Sequence, residues 1–425
     1  MTELTIDNLT FGGRGVGRVA GKAVFVPYTL PGERVRCRIE REHKRYSEAT
    51  LVEILAPAAN RCTPRCPVFA ECGGCHWQHL PYPRQLEWKE QIFRESLQRS
   101  INLSPELFLP IVASPTEWNY RCRAQVKCAV KGGRFVAGFY RPASHQVVDI
   151  EHCPLLAPQL NQLLPQLKEL LGGTPLAQQV SQLDLTVDDQ GQTSLMVHFS
   201  ATADSSLCDF LAPFAAEFNC SIYARHNDTS SPQQLVAGPA LSIRPLADHP
   251  MSLQFPPGGF IQVNLAQNRQ LVADVVAQVK PGTKVLDLYC GIGNFSLPLA
   301  EQAAAVVGVE DYLPAITAAR ENAERLGLTT ATFHASRVER RLHDLWHETA
   351  FDTVLLDPPR AGAPAVAKLL AGFRPRQIIY VSCDPMTLAR DLKPLLDGGY
   401  RPTAIRPYDM FPQTYHIEGM VVLQR

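Results

Sequence analysis

The 425-residue sequence predicts an α/β protein whose C-terminal part is a doubly wound parallel sheet. The apolar runs 284–289, 305–309 and 351–356 are short and continuously apolar, as buried parallel strands are. Segments long enough for helices separate these runs, which favours a parallel sheet with helical crossovers. The chain before residue 251 lacks this pattern. We therefore predict three domains: an OB-like β-barrel over 1–57, a central α+β domain over 58–250 and the α/β domain over 251–425.

The composition is that of an ordinary globular protein, with 45% hydrophobic residues. The sequence contains no apolar run of about 18 residues, which predicts no membrane span. The N-terminus has no basic segment followed by an apolar one, so we expect a cytoplasmic protein. Twelve cysteines in that compartment favour metal binding or catalysis over disulfides.

The charge is unevenly distributed although the net charge is zero. Residues 1–154 contain 21 Lys and Arg against 15 Asp and Glu, so the front of the chain is electropositive. Such a front suits an anionic polymer such as RNA. An ordinary solvated surface with a chance asymmetry would give the same counts.

Residues 1–57 predict a small barrel because apolar and polar residues alternate in four runs separated by glycine turns. Basic residues are interleaved with aromatic ones in this stretch, which suits nucleic-acid binding on an OB-like barrel. The alternative is a barrel that only packs on its neighbours. The basic residues are Arg14, Arg18, Arg34, Arg36, Arg38, Arg41, Lys44 and Arg45, and the aromatic ones are Phe11, Phe25, Tyr28 and Tyr46.

Three thiols follow the barrel in a C-x5-C-x2-C pattern, at Cys66, Cys72 and Cys75. Thiols this close together favour a metal, and a [4Fe–4S] cluster needs a fourth cysteine. Cys153 is the candidate because a Cys-Pro pair recurs there, as at Cys66-Pro67. The other cysteine candidates are Cys62, Cys122 and Cys128. Zinc with His76 or His79 as the fourth ligand is the alternative.

A strand, a glycine turn and a helix start meet in the stretch 285–300, VLDLYCGIGNFSLPLA. This arrangement makes a crevice at the carboxyl end of a parallel sheet, large enough for a nucleotide. Glu310 closes the next strand and could accept hydrogen bonds from ribose hydroxyls. Ser296 stands where the dinucleotide fingerprint needs its third glycine. The turn resembles instead the S-adenosylmethionine (SAM) site of class I methyltransferases.

The remaining candidate residues follow strands or turns around the same crevice. Gln262 could bind the amino-acid end of SAM, and Asn264 could cap the following helix. Cys383 and Glu418 form a possible nucleophile and base. Carbon 5 of uracil needs both, because a thiolate must add at carbon 6 before methylation and a base must then remove the C5 proton. A buried structural cysteine and an exposed carboxylate are the simpler explanations.

Taken together, the motifs DLYCGIGNFSLPLA, DPPRAG, VSCDPMTLARD, MFPQTYHIEGMV and FIQVN, with the cysteine pattern, resemble the RNA uracil-5-methyltransferase family. The branch most similar to this chain acts on 23S ribosomal RNA and carries an N-terminal TRAM barrel and a [4Fe–4S] cluster. The resemblance implies Cys383 as nucleophile and Glu418 as proton-abstracting base. It also implies SAM contacts from Gln262, Tyr289, Asn294, Glu310 and Asp357, and cluster ligands Cys66, Cys72, Cys75 and Cys153.

The resemblance leaves alternatives open. The T-loop of transfer RNA is the second candidate substrate. The same motifs could also belong to an amino-N-methyltransferase or to an iron–sulfur RNA-binding sensor. At Ser336-Arg337 this chain departs from relatives that place a SAM-contacting Asn there, so the adenine-side contact is undetermined. We expect RNA as partner, no membrane association and a monomer.

Overall fold

The computed structural model describes residues 1–200, 205–226 and 231–425. The N-terminal part is a closed barrel with strand order β1-β2-β3-β5-β4, as predicted. Alternate side chains, among them Ile6, Val26 and Val35, fill its interior. The strands are β1 (Thr2–Leu9), β2 (Arg14–Val19), β3 (Lys22–Pro27), β4 (Arg34–Glu42) and β5 (Tyr46–Ala56).

The central part contains a seven-stranded sheet with the order β12-β11-β10-β9-β6-β7-β8. Helices α2 and α3 pack on one face of this sheet, where Leu160, Leu164 and Leu211 are fully buried. The helices are α1 (Tyr82–Gln98), α2 (Pro158–Gly172) and α3 (Ser205–Glu217). The strands are β6 (Arg123–Lys131), β7 (Arg134–Tyr140), β8 (Val147–Asp149), β9 (Val180–Val187), β10 (Thr193–Phe199), β11 (Cys220–Arg225) and β12 (Gln233–Val236).

The C-terminal part is the predicted doubly wound sheet, with the order β17-β16-β15-β18-β19-β21-β20. Strands β15 to β19 are parallel, and β21 and β20 are antiparallel to their neighbours. The strands are β13 (Ser242–Ile243), β14 (Leu253–Gln254), β15 (Lys284–Leu288), β16 (Ala305–Glu310), β17 (Ala331–Ala335), β18 (Thr353–Leu356), β19 (Gln377–Ser382), β20 (Arg401–Tyr408) and β21 (Glu418–Gln424). The helices are α4 (Leu265–Gln278), α5 (Ser296–Ala300), α6 (Leu313–Arg325), α7 (Val338–Glu348), α8 (Pro364–Phe373) and α9 (Pro385–Asp397).

The order of the strands reverses at β15, the first strand of this sheet in the chain. Strands β16 and β17 follow on one side of β15, and β18 and β19 lie on the other side. In a doubly wound sheet a ligand crevice opens at such a point, outside the carboxyl ends of the strands. The sheet therefore positions the predicted crevice next to the residues that follow β15, β18 and β19.

Helix α1 lies between the barrel and the central sheet in the chain but packs against α9. Phe93 and Leu97 are fully buried in the same core as Leu388. The ammonium group of Lys89 lies 2.6 Å from Asp409 Oδ1, and both side chains are fully buried. This segment is thus anchored on the C-terminal sheet. None of the helices within the described ranges is both long and apolar enough to cross a membrane.

Candidate active site

A large cavity of about 1270 Å³ lies at the carboxyl ends of β15, β18 and β19. It also opens toward the central sheet, because Arg121 and Arg225 line it. All the residues predicted from sequence to bind SAM or to react lie along its wall. They are Gln262, Tyr289, Asn294, Glu310, Asp357, Cys383 and Glu418.

The glycine turn after β15 forms one wall of this cavity. Gly291 and Gly293 have φ values of +53° and +89°, which favour glycine. A Cβ at Gly293 would lie 2.9 Å from Leu297, so the turn also packs tightly on the next helix. Tyr289, with φ +65°, has the same left-handed conformation without being glycine. Such backbone strain is typical of residues held in place for function.

Two polar residues of this wall are fixed by their neighbours. Asn294 and Asn268 exchange two side-chain hydrogen bonds of 3.0 and 2.9 Å, which orient the Asn294 amide. Glu310 Oε1 accepts hydrogen bonds from the backbone of Asp311 and Tyr312, at 2.9 and 3.0 Å. This carboxylate is therefore pre-positioned to accept hydrogen bonds from a ligand at the end of β16.

The substitution Glu310→Gln should weaken binding of S-adenosylhomocysteine about 10-fold or more. The amide loses the charge that strengthens hydrogen bonds from ribose hydroxyls, worth roughly 1.5–3 kcal/mol. Isothermal titration calorimetry measures the effect, with Glu324→Gln on exposed α6 as the matched control. Equal affinity of the two variants would contradict a ribose contact by Glu310.

Cys383 and Glu418 meet because of the register of two antiparallel strands. Ser382 at the end of β19 pairs with Gly419 in β21. The next residue along β19 is Cys383, and the residue before Gly419 is Glu418, so the two face each other at one edge of the sheet. Asp357 follows the neighbouring strand β18 and reaches the same edge.

The electrostatics of these three groups are linked. Burial, and after it the charges of Glu418 and Asp357, raise the pKa of Cys383 to about 12, while Arg360 opposes the rise. Burial, followed by the charge of Asp357, raises the pKa of Glu418 well above its usual value. Burial also raises the pKa of Asp357 to about 7. Burial and the neighbouring carboxylates therefore favour the neutral thiol of Cys383, and burial disfavours the ionisation of Glu418 and Asp357 together.

The loop 409–417, which leads into Glu418, is held by buried polar contacts from distant parts of the chain. Gln85 of α1 donates to Gln413 Oε1 at 2.9 Å and accepts from the Gln413 backbone at 2.9 Å. The backbone nitrogens of His76 and Trp77 both donate to the Gln413 oxygen. The side chain of Asn264 caps α4, as predicted, and also donates to Met410 O at 3.3 Å. These contacts fix the approach to Glu418.

The sequence did not identify several of the polar residues that line the cavity. Among them are Arg225, Asp311, Glu339 and His416. Of these, His416 had a signal, because it stands two residues before Glu418 in the same motif. Its ring lies 2.7 Å from Arg360 Nη2, and burial lowers the pKa of His416 to about 3. Arg225 comes from β11, in a region that contains no recognisable functional motif.

The cysteine-rich segment, residues 66–79, brings the predicted thiols near one another. Burial, then the charges of Cys153 and Cys66, raise the pKa of Cys72 to about 11. Cys75 packs with Tyr120, Leu155 and Cys153. The competitor Cys62 lies beside Arg61 and Glu117, and its thiol donates to Gln78 O.

Backbone amides also point at the sulfur atoms of these cysteines. Such donors stabilise a thiolate, whereas an apolar neighbour would not. The Gly74 amide donates to Cys72 Sγ at 3.4 Å. The amides of Leu155 and Leu156 lower the pKa of Cys153, against the larger effect of burial. Hydrogen bonds to sulfur are a feature of iron–sulfur sites, so this donor set fits such a cluster. Across 1–200, 205–226 and 231–425, however, no group of three or more His, Cys, Asp or Glu is arranged to hold a metal ion.

Several basic residues make polar contacts within the protein. Arg123 Nη1 and Nη2 donate to the carbonyls of Gly259 and Gly258, at 2.7 and 3.2 Å. In the barrel, Arg14 pairs with Glu48 at 2.8 Å. Arg36 and Arg38 are likewise paired with glutamates. These three barrel arginines keep 38%, 38% and 59% of their side-chain surface exposed, so they still belong to the basic surface of the barrel.

Two family models match the chain. The model described as tRNA (Uracil-5-)-methyltransferase matches residues 81–425, and the TRAM domain model matches residues 2–52. Among curated proteins, the 23S rRNA (uracil(1939)-C(5))-methyltransferase of Alkalilimnicola ehrlichii is 39% identical, over 100% of this chain and 96% of its own. The protein of the same name from Aeromonas hydrophila is 37% identical over the same shares of the two chains.

Among solved structures, the tRNA (uracil-54, C5)-methyltransferase of Pyrococcus abyssi is similar over 99% of this chain and 100% of its own. The TM-score is 0.75 at 25% sequence identity, and that protein was solved in complex with S-adenosyl-L-homocysteine. The likeness covers the barrel, the central sheet and the doubly wound sheet together.

Proposed function

Because this chain belongs to the tRNA (uracil-5-)-methyltransferase family, we propose that it methylates carbon 5 of a uridine in 23S ribosomal RNA. SAM is the methyl donor and is consumed as a substrate. The observation that carries this conclusion is the cavity in which Cys383 and Glu418 face each other beside the glycine turn. Transfer RNA is the second candidate substrate, supported by the Pyrococcus abyssi structure.

In the proposed mechanism the Cys383 thiol gives up its proton to solvent, and the thiolate then adds to carbon 6 of the uracil ring. The electron pair that leaves the 5,6 double bond makes carbon 5 nucleophilic, and carbon 5 takes the methyl group from SAM. Arg360, whose positive charge opposes the rise in the pKa of Cys383, favours the thiolate. Since the reaction needs both faces of one ring, the uridine must leave any helical stack before it enters the cavity.

The second half of the reaction removes the proton from carbon 5. The Glu418 carboxylate accepts this proton, the double bond re-forms, and Cys383 leaves from carbon 6 as a thiolate. Burial raises the pKa of Glu418, which makes its carboxylate a stronger proton acceptor than an exposed one. Product RNA and S-adenosylhomocysteine then dissociate.

The other predicted contacts complete the proposal. Gln262, Tyr289, Asn294, Glu310 and Asp357 bind SAM, and the position of Arg337 on the cavity wall supports an adenine-side contact from 336–339. We also propose that the domains of the chain are divided at residues 57 and 250, and that the protein is a cytoplasmic monomer. The barrel and the central sheet bind RNA, which the TRAM match supports.

For the cysteine-rich segment we propose a [4Fe–4S] cluster held by Cys66, Cys72, Cys75 and Cys153. Their mutual proximity and the amides aimed at sulfur support this set over zinc with His76 or His79. A cluster with four protein ligands would supply a structural cross-link rather than an open site for chemistry. It would fix His76 and Trp77, whose amides hold the Gln413 carbonyl near the active site.

Protein purified without oxygen should contain about four iron and four sulfide ions per chain. The substitution Cys75→Ser should lower both contents by more than half, whereas the matched control Cys62→Ser should retain them. Elemental analysis and a colorimetric sulfide assay give the answer. One zinc ion per chain with no sulfide would contradict the cluster and support the zinc alternative.

The proposed activity is tested by incubating the protein and labelled SAM with unmodified 23S RNA and, separately, with transfer RNA. Nucleoside analysis should give 5-methyluridine from the 23S RNA. The same product from transfer RNA alone would overturn the choice of RNA but keep the chemistry. An N-methylated nucleoside would overturn the uracil-C5 mechanism.

A further inference from the structure

A buried hydrogen-bond network joins the helix that follows Cys383 to the loop that follows Asp357. Its centre is Asp391 of α9, which is fully buried. Asp391 Oδ2 accepts hydrogen bonds from the Ala363 amide at 2.6 Å and from the Tyr380 hydroxyl at 2.7 Å. Arg390 Nε donates to Asp391 Oδ1 at 2.7 Å, and Arg390 Nη2 donates to Ala361 O at 2.7 Å.

The loop 357–363 is shaped to accept this carboxylate. Gly362 has φ +71°, and a Cβ there would lie 2.4 Å from Asp391 Oδ2 and 2.5 Å from Arg390 Nη2. The Gly362 amide also donates to Pro359 O at 2.8 Å, which closes the turn. A glycine at this position thus lets the loop approach the carboxylate directly. The other end of the turn, Asp357 to Arg360, lines the cavity.

We propose that Asp391 and Tyr380 are positioning residues for the methyl transfer, which fix the loop 357–363 relative to Cys383. This inference rests on the proposed function and adds two residues that touch neither substrate. Asp384, directly after Cys383, caps helix α9 with its side chain. The nucleophile therefore immediately precedes the N-cap of the helix that carries the carboxylate holding the opposite loop. Displacement of that loop by about 1 Å would cost catalysis rather than folding.

The substitution Tyr380→Phe tests this with a matched control. Tyr400→Phe removes a similar buried hydroxyl, which donates to Pro375 O at 2.6 Å in the same core but away from the loop 357–363. We expect similar melting temperatures for the two variants. Tyr380→Phe should lower kcat for methyl transfer roughly 10-fold or more, and Tyr400→Phe should change it by less than about twofold. Asp391→Asn should lower kcat further, because the amide cannot accept from all three donors.

Hydrogen exchange of the peptide covering 357–363 is measured in the same proteins and does not depend on activity. We expect faster exchange at Ala363 in Tyr380→Phe than in Tyr400→Phe. Equal exchange would overturn the network as a restraint on the loop, and faster exchange with equal kcat values would overturn its role in positioning. If the wild-type protein made no 5-methyluridine, the proposed function would fail, whereas exchange would still decide whether the restraint exists.

Discussion

Replacement of Cys383 with alanine should lower the rate of methyl transfer to RNA roughly 10³-fold or more. Without the thiol, carbon 5 of uracil stays a poor nucleophile, because it is the addition of Cys383 at carbon 6 that activates it. Labelled-methyl incorporation into unmodified RNA measures the loss. Binding of S-adenosylhomocysteine should stay within about twofold of wild type, since none of the predicted SAM contacts is removed.

Cys128→Ala is the matched control for this substitution. Cys128 is a half-buried thiol on β6, outside the cavity, and burial raises its pKa to about 12, as it does for Cys383. The control should retain methyl transfer, so a loss of rate in Cys383→Ala alone cannot come from removing a buried sulfur. Retention of methylation at nitrogen by Cys383→Ala would instead support an amino-methyltransferase.

The strands around the active site could be predicted because burial on both faces leaves a continuous apolar run. The predicted runs at 284–289 and 305–309 differ from β15 and β16 by one residue at one end. The glycine turn and its acid Glu310 are also local features, so their places relative to each other follow from the chain itself. The confirmed cap at Asn264 has the same local character.

Other parts of the site depend on contacts between distant segments, which leave no local pattern. Cys383 lies opposite Glu418 because of the register between β19 and β21. The anchoring of α1 by Lys89 on Asp409 joins residues 320 positions apart. Arg123 shows the reverse case: a charged residue on a strand is expected on an exposed face, but the loop at Gly258 and Gly259 covers it. A polar residue that satisfies carbonyls of a distant loop looks like a surface residue in the sequence.

The substitution Glu418→Gln should stop the reaction after methylation and leave RNA covalently attached to the protein. A glutamine side chain cannot accept the C5 proton, so elimination of Cys383 should slow roughly 10²- to 10⁴-fold while addition and methyl transfer proceed. Denaturing gel electrophoresis should show a protein–RNA band that carries label from SAM. The double variant Cys383→Ala, Glu418→Gln is the control and should show no such band.

The alternative base in this cavity is Asp357, whose pKa burial raises to about 7. The charge of Asp357 raises the pKa of both Cys383 and Glu418. The two carboxyl groups therefore titrate together, and one of them is protonated before the other. If Glu418 is the base, Asp357→Asn should weaken S-adenosylhomocysteine binding and give no trapped band. A trapped, labelled band in Asp357→Asn but not in Glu418→Gln would exchange the two roles. Glu418 is the first residue of β21, and Asp357 is the residue directly after β18. The two outcomes therefore also decide which of these strands supplies the base.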